Sequence, residues 1–495
     1  MKKNKNVRQG DQEKKERSSK LNKLIENKDV PYRDKFEKKL NCQEVSNQDL
    51  NSQIKTAGRV VSLRNMGNIV FIRIRDFSGE IQLVFRVGHI EKDDLEKLIE
   101  ILDVGDFIGV VGRLNKTKRG EVSIFVEDFT FLSKSLRPLP EKWHGMQSKE
   151  LRYRKRYLDL LTNKETREVF KFKSDFIWEI RKYYKEHNFD EVDTPILCNT
   201  PSGAMAKPFK THHDALNMDV YLRIAPEIFL KEAIIGGYEK IFEVARCFRN
   251  EGIDPSHLQD FTMIEHYCAY WNFQQNMEFT EKMFAKIIKK LKGTLKLTLH
   301  ERNGEEHEVD FTPPWERVSF KDLLMRDCGI NIDNFPTAEE LKEEIKRKDI
   351  ELDDIDNLGR GNMIDSLYKE VSREKLINPV FLMDHPVDLS PLARKNDSDS
   401  SIADRFQLVV NGWEIVNSYS ELIDPIDQKN RFDEQMKARQ KGDEEAMLKD
   451  NDYITAMEHG MPPISGWGMG VERVVALLMK QDNLKDTVLF PLMKP

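Results

Sequence analysis

Short apolar segments, each bounded by turn-forming residues, follow one another between residues 54 and 134. Val, Ile and Phe dominate them, and Gly67, Gly79, Gly105 and Gly120 lie at or near their ends, as in strands joined by tight turns. The segments are IKTAGRVVSLRN, NIVFIRIRDFSG, EIQLVFRVG, DFIGVVGRLNK and EVSIFVEDFTFL. A charged stretch after the third segment, EKDDLEKLIEIL, predicts a helix. Five strands and one helix in about 80 residues predict a small closed barrel of the OB type.

From about residue 165 the pattern becomes that of a large unit in which strands and helices alternate. It begins with apolar residues at helical spacing, which predict a long amphipathic helix. These are Val169, Phe172, Phe176, Ile180 and Tyr183. The helix leads into NFDEVDTPIL, where Pro195 predicts an edge or interface strand, because a proline cannot donate to a central ladder. The charged region at about 336–376 predicts a helical insertion.

The composition divides the chain into four predicted parts. They are a polar, charged arm at residues 1–50, the barrel at 54–134, a linker at 135–164 and the α/β unit at 165–495. The arm is rich in Lys, Glu, Asn and Gln, which predicts a solvated, partly helical extension that is either disordered or in contact with RNA phosphates. The linker carries the basic run Arg152, Arg154, Lys155 and Arg156, which is either a solvated helix face or a phosphate contact.

Charge and cysteine content limit the classes of protein that fit. A formal net charge of −6 excludes nucleic-acid binding by bulk positive charge, so any such contact must come from a local basic patch. The cysteines are scattered and form no CxxC pair, which predicts neither a zinc ribbon nor a redox pair and fits a reducing compartment. We find no signal peptide and no long apolar run, and therefore expect a soluble, cytoplasmic protein without a membrane partner.

Two predicted strands, IFEVARCFRNEG and FTMIEHYCAY, flank a polar loop between residues 241 and 270. Alternate residues of a strand share a face. The odd-numbered face combines an arginine, two glutamates, a phenylalanine and a tyrosine, which a core would exclude and a substrate site would use. The odd-numbered residues are Glu243, Ala245, Cys247, Arg249, Phe261, Met263, Glu265 and Tyr267. Arg246 and His266 interrupt the more apolar even-numbered face, and a hairpin with one solvated face is the alternative.

A second hairpin is predicted in RFQLVVNGWEIVNSYSEL, where the Asn-Gly pair at 411–412 is a strong two-residue turn signal. Closing this turn places four residues on one face. They are Gln407, Val409, Glu414 and Val416. Asn417 and Glu421 have the opposite parity, and they join the face of Glu414 only if a bulge or bend falls between.

The segment ISGWGMGVERVVALLMK contains three alternate glycines, Gly466, Gly468 and Gly470, which leave one strand face without side chains. A ring or a phosphate can approach the backbone there. Arg473 lies in the first turn of the predicted helix that follows, and a helix start beside a guanidinium is a good phosphate site, although glycine runs also serve plain packing. The sequence has neither a GxxxxGK(S/T) loop nor a GxGxxG motif after a strand, which excludes the P-loop and Rossmann modes.

The chain resembles class II aminoacyl-tRNA synthetases at all three signature motifs. The helix and strand ending near Pro195 resemble motif 1, FRNEG at 248–252 resembles motif 2, and GWGMGVER at 466–473 resembles motif 3. Longer segments resemble the lysyl-tRNA synthetase family, and the similarity covers about residues 54–495. These segments are PSGAMAKPF, THHDALNMDVYLRIAPE, FRNEGIDPSHLQDFTMIEHY, DHPVDLSPLAR and WEIVNSYSELIDP.

The resemblance implies an α+β multidomain fold. An N-terminal OB-fold barrel would precede an antiparallel catalytic sheet of six or seven strands flanked by helices. It implies that L-lysine and ATP form lysyl-adenylate and pyrophosphate, and that the 3′ end of tRNA(Lys) then takes the lysyl group. Catalysis would rest on positioning and charge stabilisation. The resemblance further implies Mg²⁺ as cofactor and a homodimer formed through the motif 1 region around Pro195.

The resemblance assigns the ATP site to residues of motifs 2 and 3 and of the second hairpin. Arg249 would hold both the α-phosphate and the lysine carboxylate, a bidentate task for a guanidinium. Phe261 would stack on adenine, with Arg473 over its other face. Arg249, Glu251 and Arg473 are the implied catalytic residues. The complete implied ATP set is Arg249, Glu251, His257, Phe261, Glu414, Gly470 and Arg473.

The implied lysine pocket is acidic. Glu227 would bind the α-amino group beside the Gly203 backbone. Burying the ε-ammonium requires carboxylate partners, whereas a pocket for aspartate would require Arg or Lys. The implied lysine-binding set is Gly203, Glu227, Arg249, Glu265, Tyr267, Asn417 and Glu421.

One position departs from the family pattern. The family places two carboxylates for Mg²⁺ on the second hairpin, and here Glu414 is present while Gln407 stands where the first glutamate is expected. An amide oxygen is a weaker ligand for this cation than a carboxylate. The number and the affinity of magnesium ions are therefore open.

The barrel carries the implied anticodon site. Phe71 would stack on a base of a U-rich anticodon, and Gln82 and Glu121 would contact base edges. Without the resemblance, Phe71 would equally be an ordinary barrel aromatic.

Three other functions compete with lysine activation. An aspartyl- or asparaginyl-tRNA synthetase of the same subgroup is disfavoured by Glu265 and Glu421. A non-catalytic RNA-binding paralogue is disfavoured by the presence of Arg249 and Arg473. A paralogue that transfers lysine to a protein is disfavoured by the barrel, which such paralogues lack.

Overall fold

The computed structural model describes residues 2–139, 146, 148–201, 203–252, 254–300, 305–440 and 447–494. The chain divides into two compact units, one at residues 1–147 and one at 148–495. No helix in the described ranges is long and apolar enough to cross a lipid bilayer.

The first unit is built on a closed barrel whose strands follow the order β1-β2-β3-β5-β4. The strands are β1 (Gln53–Asn65), β2 (Ile69–Arg75), β3 (Glu80–Arg86), β4 (Phe107–Lys116) and β5 (Val122–Ser133). Burial alternates along β2, where Val70, Ile72 and Ile74 fill the barrel while Phe71 and Arg73 lie half-exposed between them. The predicted barrel is therefore confirmed.

Helices of the first unit lie before the first barrel strand and between β3 and β4. They are α1 (Lys2–Glu26), α2 (Cys42–Ser46) and α3 (Lys92–Ile101). Helix α3 occupies the predicted position after the third strand and buries Leu95 and Leu98 against the barrel core. Within the segment predicted as an arm, Leu24 of α1 joins the same core.

The second unit contains the larger number of elements. Its strands are β6 (Asp190–Glu191), β7 (Leu197–Cys198), β8 (Phe209–His213), β9 (Met218–Leu222), β10 (Lys240–Phe248), β11 (Asp260–Ala269), β12 (Lys296–His300), β13 (Glu306–Asp310), β14 (Glu316–Ser319), β15 (Val380–Pro386), β16 (Ile402–Val410), β17 (Trp413–Ser420) and β18 (Ile464–Gly470). Its helices are α4 (Lys149–Arg154), α5 (Arg156–Thr162), α6 (Lys164–Glu186), α7 (Glu227–Ile235), α8 (Phe273–Lys292), α9 (Phe320–Cys328), α10 (Ala338–Arg347), α11 (Arg360–Val371), α12 (Pro425–Gln440), α13 (Asn451–Glu458) and α14 (Val471–Leu478).

The main sheet has eight strands in the order β14-β15-β16-β17-β18-β11-β10-β6. The expectation of six or seven antiparallel strands was wrong in detail. The six strands from β15 to β10 pair antiparallel, but β14 and β6 add short parallel pairs at the two edges. Strand β6 is only two residues long, so its sequence carries no periodic signal that would predict its pairing.

Helix α6 begins where the side chain of Asn163 accepts hydrogen bonds from the first turn. It buries the predicted apolar stripe except Phe172, which is half-buried against the same core. After α6, Pro195 separates β6 from β7, and β7 pairs with β9 in a separate three-stranded sheet. The segment predicted as one broken strand therefore serves two sheets.

A buried polar network fixes the three central strands beneath the functional face. Asn276 of α8 donates to Ser418 of β17 and to Ser465 and the Gly466 carbonyl of β18. It also lies 2.9 Å from Nε2 of His266. Burial lowers the pKa of His266 to about 3, so the ring is neutral at physiological pH. His266, which interrupts the apolar pattern of β11, thus belongs to the structural side of the sheet.

Candidate functional site

A cavity of about 380 Å³ opens over the central strands β11, β17 and β18 of the second unit. Helix α7 and the loop that follows β10 complete its walls. Its lining includes most of the predicted site residues. They are Gly203, Glu227, Arg249, Glu251, His257, Phe261, Glu265, Tyr267, Glu414, Asn417, Gly470 and Arg473.

The β10–β11 hairpin supplies one floor of the cavity. Its register pairs Cys247 with Phe261, Ala245 with Met263 and Glu243 with Glu265, so the odd-numbered residues share a face as predicted. Glu243 does not line the cavity, because it is buried in an ion pair with Arg223 at 2.7 Å. The acidic face therefore divides into a structural carboxylate and a substrate-facing one.

Arg249 follows β10 directly, and its backbone is held by a hydrogen bond from its N–H to the carbonyl of Gln259. Its guanidinium lies 5.2 Å from the centre of the Phe261 ring. The Nε atom is buried and has no hydrogen-bond partner among the residues that the structure describes. A buried guanidinium nitrogen without a partner loses free energy unless an anion binds there.

The loop after Arg249 contributes Glu251 and His257 to the cavity. Nδ1 of His257 lies 2.7 Å from a carboxylate oxygen of Asp254. Burial opposes ionisation of Asp254, but hydrogen bonds from Ser256 and His257 outweigh it and lower the pKa of Asp254 to about 2. The carboxylate orients the imidazole, whose other nitrogen remains available to a ligand.

The β16–β17 hairpin contains the bulge on which the face of Asn417 depended. Val409 pairs with Glu414, but the next pair is Leu408 with Val416, so Ile415 is the extra residue. The bulge brings both Glu414 and Asn417 to the cavity. It also pairs Gln407 with Asn417, which corrects the regular register expected for this hairpin.

Glu414 and Gln407 do not meet at the cavity. Glu414 lines it, whereas Gln407 is buried and lies outside the lining. Within the described residues no cluster of three or more His, Cys, Asp or Glu side chains is arranged to hold a metal. A single carboxylate is enough for a magnesium ion that keeps its waters and is held mainly by substrate phosphates.

The three glycines of β18 lie opposite these strands. Gly466 and Gly468 pair with Tyr267 and Glu265 across the β11–β18 ladder. A Cβ atom at Gly466 would collide with Glu421 and Tyr267. Helix α14 begins at Gly470 without a capping side chain, which leaves first-turn N–H groups for a ligand. Arg473 is held beside them by a hydrogen bond to the Glu414 carbonyl at 3.2 Å.

The opposite end of the cavity is acidic and closed. The Tyr419 hydroxyl donates to Glu227 at 2.8 Å, and the Tyr267 hydroxyl donates to Glu265 at 3.3 Å. Burial, reinforced by the neighbouring Glu227, raises the pKa of Glu265 well above its usual value. Burial likewise raises the pKa of Glu421 to about 8.

Glu421 lies immediately behind Gly466 and does not itself line the open cavity. It is 2% exposed. Its only close cation is Lys231, at 2.5 Å, in the part of the chain that the structure describes.

Gly203, with φ near +93°, packs its backbone against the Glu227 side chain, so a side chain at position 203 would narrow the acidic end of the cavity.

The barrel brings its three predicted residues to one outer face. Arg73 pairs with Gln82 across the β2–β3 ladder and forms an ion pair with Glu121. Phe71, two residues before Arg73 on β2, is half-exposed on the same side of the strand. Gln82 donates to the Ser123 hydroxyl at 3.0 Å. An aromatic ring, a guanidinium and an amide side by side form a surface suited to unstacked bases.

The sequence analysis missed four residues of these two surfaces. Arg405 lines the cavity and donates to Asn417 at 2.9 Å. Lys231 lies behind Glu227 and forms an ion pair with it, and the Tyr419 hydroxyl donates a hydrogen bond to Glu227. On the barrel face, Arg73 forms an ion pair with Glu121. A signal existed for Arg405, because it lies two residues before Gln407 and therefore on the same strand face. Lys231 carried a weaker signal, since it lies four residues after Glu227 on a mainly apolar helix.

Comparisons with known proteins agree with this geometry. The family model described as class II tRNA synthetases (D, K and N) matches residues 148–494, and the OB-fold nucleic acid binding domain matches residues 54–132. A lysine–tRNA ligase of Aquifex aeolicus is 43% identical over 442 residues, which are 89% of this chain and 73% of that protein. Lysine–tRNA ligases of Pelotomaculum thermopropionicum and Thermotoga maritima are 43% and 42% identical, over 97% and 94% of this chain and 94% and 92% of their own. The chain therefore belongs to the class II aminoacyl-tRNA synthetases, among the lysine–tRNA ligases.

Proposed function

We propose that the cavity joins L-lysine to ATP as lysyl-adenylate and then passes the lysyl group to tRNA(Lys). One observation carries this proposal: a single cavity has a guanidinium-lined end and an acidic end. Glu227 and Glu265 line the acidic end, and Glu421 lies behind Gly466 at the same end. The first end fits a triphosphate, and the second fits an amino acid that carries two ammonium groups.

At the ATP end, Phe261 offers its ring to the adenine, and Arg473 lies near the phosphates at the uncapped start of α14. Burial lowers the pKa of Arg473, and Arg249 and Arg373 lower it further as neighbouring cations. Such a concentration of positive charge is stabilised when an anion binds. Glu251 and His257 contact the nucleotide from the loop.

At the lysine end, Glu227 receives the α-ammonium group beside the Gly203 backbone. Glu265, Tyr267 and Glu421 receive the ε-ammonium, and Asn417 lies on the carboxylate side, where Arg405 orients its amide oxygen. The absence of a side chain at Gly466 leaves the path between these groups open.

The chemistry follows from holding the two substrates end to end. A lysine carboxylate oxygen attacks the α-phosphorus of ATP, the bond to the bridging oxygen of the β-phosphate breaks, and pyrophosphate leaves. Arg249 contacts both the carboxylate and the α-phosphate through its two-pronged guanidinium, which aligns the attack and stabilises the charge that develops. A ribose hydroxyl of the tRNA then attacks the lysyl carbonyl, and AMP leaves. No protein nucleophile is required.

Magnesium fits the ATP end as a cofactor held chiefly by the nucleotide. Glu414, which lines the cavity, would supply a carboxylate ligand, whereas Gln407 lies outside the lining. The ion would neutralise phosphate charge during pyrophosphate departure.

The barrel face of Phe71, Gln82 and Glu121 would bind the anticodon, with Arg73 beside them.

A homodimer would form through the motif 1 region, where Trp178, Ile196 and Leu197 are 66%, 43% and 47% exposed. Large exposed apolar side chains in neighbouring segments mark association surfaces. Sedimentation velocity tests this, and a monomer at micromolar concentration would contradict it. The compartment would be the cytoplasm, where tRNA is charged.

The test of the activity is exchange of labelled pyrophosphate into ATP, with each of the twenty amino acids in turn, with magnesium and without tRNA. We expect exchange with lysine alone. Exchange with aspartate or asparagine would overturn the assignment of the acidic end. Folded protein that exchanges with no amino acid would instead indicate a non-catalytic RNA-binding paralogue, with Gln407 as the first residue to restore to glutamate.

A further inference from the structure

The side chain of Lys231 is fully buried behind the acidic end of the cavity. Its Nζ atom lies 2.5 Å from a Glu227 oxygen and 2.5 Å from a Glu421 oxygen. The rings of Tyr267, Tyr419 and Tyr453 surround it, with centres 5.9, 5.7 and 5.9 Å away. Buried lysines are rare unless they are paired, and this one bridges two carboxylates that belong to different elements.

This bridge connects the two carboxylates that are proposed to bind the α- and ε-ammonium groups of lysine. Glu227 begins α7 and contacts the place of the α-ammonium, whereas Glu421 follows β17 and contacts the place of the ε-ammonium. A carboxylate held by only one partner can rotate about its side-chain torsions, and each free torsion costs entropy when a ligand binds. The shared ammonium of Lys231 fixes both carboxylates at once.

The charges of this end match one substrate. When lysine is bound and all three carboxylates are ionised, Glu227, Glu265 and Glu421 together bring three negative charges, and Lys231 cancels one of them. The remaining two equal the two ammonium groups of lysine, while Arg249 is left for the substrate carboxylate. Without Lys231, the pocket would carry one negative charge more than the ligand neutralises, and a buried surplus charge takes up a proton instead.

We propose that Lys231 is the positioning residue that sets the charge and the geometry of the lysine pocket, by pairing with Glu227 and Glu421 so that both carboxylates can accept an ammonium group when lysine binds. This inference rests on the proposed lysine site. The alternative is that Lys231 only fills space between α7 and β17.

Several titratable groups face Lys231 and Glu421. They are Glu227 of α7, Tyr267 of β11, Tyr419 of β17 and Tyr453 of α13, with Glu265 next to Tyr267 and Glu232 next to Tyr453. Burial alone would lower the pKa of Lys231, but Glu227 and Glu421 outweigh it and hold the pKa above its usual value. Lys231 therefore stays charged over the accessible pH range, and the nearby carboxyl groups whose pKa values burial raises are Glu265 and Glu421.

The test is the pH profile of the lysine KM in ATP–pyrophosphate exchange. Ionised carboxylates bind lysine, so the KM falls as pH rises through their pKa. Lys231→Met and Lys231→Gln remove the charge and should raise the lysine KM at neutral pH by about tenfold or more. They should also move the midpoint of the profile upward by about one pH unit or more. The KM for ATP should not change.

Two further variants separate charge from volume. Lys231→Arg keeps the charge, so its midpoint should stay at the wild-type pH even if its lysine KM rises. Lys134→Met is the matched control: Lys134 is also fully buried and bridges two carboxylates, those of Asp103 and Asp106 at 2.6 and 2.8 Å, but it lies in the barrel unit. Its removal should leave both the lysine KM and the midpoint unchanged.

A Glu421→Gln variant distinguishes the proposed lysine site from the proposed role of Lys231. If it leaves the lysine KM unchanged, the proposed lysine site is wrong. If it raises that KM while folded Lys231→Met and Lys231→Gln keep the wild-type midpoint, the site stands and the role of Lys231 is overturned. An equal shift in Lys231→Arg would also overturn it, because charge would not be the cause. If Lys231→Met does not fold, Lys231→Gln and Lys231→Arg decide in the same way.

Discussion

Arg249 and Arg473 differ in what already holds them. The guanidinium of Arg473 donates to the Glu414 carbonyl, whereas Nε of Arg249 is buried and has no hydrogen-bond partner in the described part of the chain. A side chain that is already hydrogen-bonded before binding shapes the site. A side chain with unpaired donors forms new hydrogen bonds to the ligand. Arg249 thus keeps a buried donor for the substrate, and its loss should act on the rate more than on folding.

Arg249→Lys tests this difference. A lysine offers a point charge and cannot contact the α-phosphate and the substrate carboxylate together. The kcat of ATP–pyrophosphate exchange should fall by about 100-fold or more, as on removal of a transition-state hydrogen-bond donor. Arg246→Lys is the matched control, because Arg246 lies on the opposite face of β10 and pairs with Asp260 at 2.6 Å. Comparable losses in both variants would show that Arg249 has no special role.

The raised pKa of Glu421 predicts a proton released when lysine binds. The unliganded protein keeps a proton on this carboxyl below about pH 8, and an incoming ammonium favours the ionised form. Calorimetry at pH 7 in two buffers of different ionisation enthalpy should therefore detect proton release, which should fade as the pH rises above 8. Glu421→Gln should release less. Binding that is independent of the buffer in the wild type would contradict the prediction.

At this scale the sequence predicted residue types better than their partners. Glu265, Tyr267 and Arg249 were found because alternation along two strands placed charges on a face that a core would reject. Arg405 and Lys231 were not, since their roles depend on which side chains other elements bring near them. The alternation of residues along a strand can be recognised from the local sequence. The side chains that contact a residue come from distant parts of the chain and are known only once the fold is known.

Among the elements, the β16–β17 hairpin shows the limit of pattern most clearly. The Asn-Gly turn correctly predicts the pairs nearest the turn, including Val409 with Glu414. The bulge at Ile415 has no signature of its own, because Ile is an ordinary strand residue. It is specified by the neighbours β15 and β18, which must both pair with this hairpin.

Strand β18 gives the prediction at this scale. In Gly466→Ala the new methyl group would collide with Glu421 and Tyr267, so the lysine KM should rise by about tenfold or more, with less effect on the KM for ATP. Gly468→Ala is the matched control, because its Cβ would meet Glu265 at 3.6 Å, an ordinary contact. Thermal unfolding of both variants checks that the sheet is intact. Equal lysine KM values in the two variants would argue against a pocket behind Gly466.

For the whole molecule, the separation into two units implies that activation and tRNA recognition are separable by mutation. Phe71→Ala should raise the KM for tRNA in aminoacylation, since stacking on one base contributes about 1–3 kcal/mol, and should leave ATP–pyrophosphate exchange unchanged. Phe77→Ala is the control, because Phe77 is also an exposed barrel aromatic (64%) but lies in the turn between β2 and β3. An equal effect of both variants on tRNA would contradict a specific base contact at Phe71.

The sequence predicted the order of these units and the type of both sheets, because strands of five or more residues repeat their pattern long enough to be recognised. It did not predict the parallel edge strands β6 and β14, whose pairing depends on a sheet already formed beside them. In the candidate sites, Arg405 of β16 and Lys231 of α7 were not anticipated because their partners come from other elements, whereas Glu227 of α7 was named only through the family resemblance.

The one-residue bulge at Ile415 has a consequence for how this chain can change over evolution. Substitutions at Ile415 alter one side chain, but losing the residue would shift the alternation of the rest of β17 and turn Asn417 away from the cavity. The spacing between Glu414 and Asn417 is therefore protected against insertion and deletion more strongly than the identity of the residue between them. When relatives of this chain are compared, we expect the number of residues between Glu414 and Asn417 to vary less than the identity of the residue at position 415.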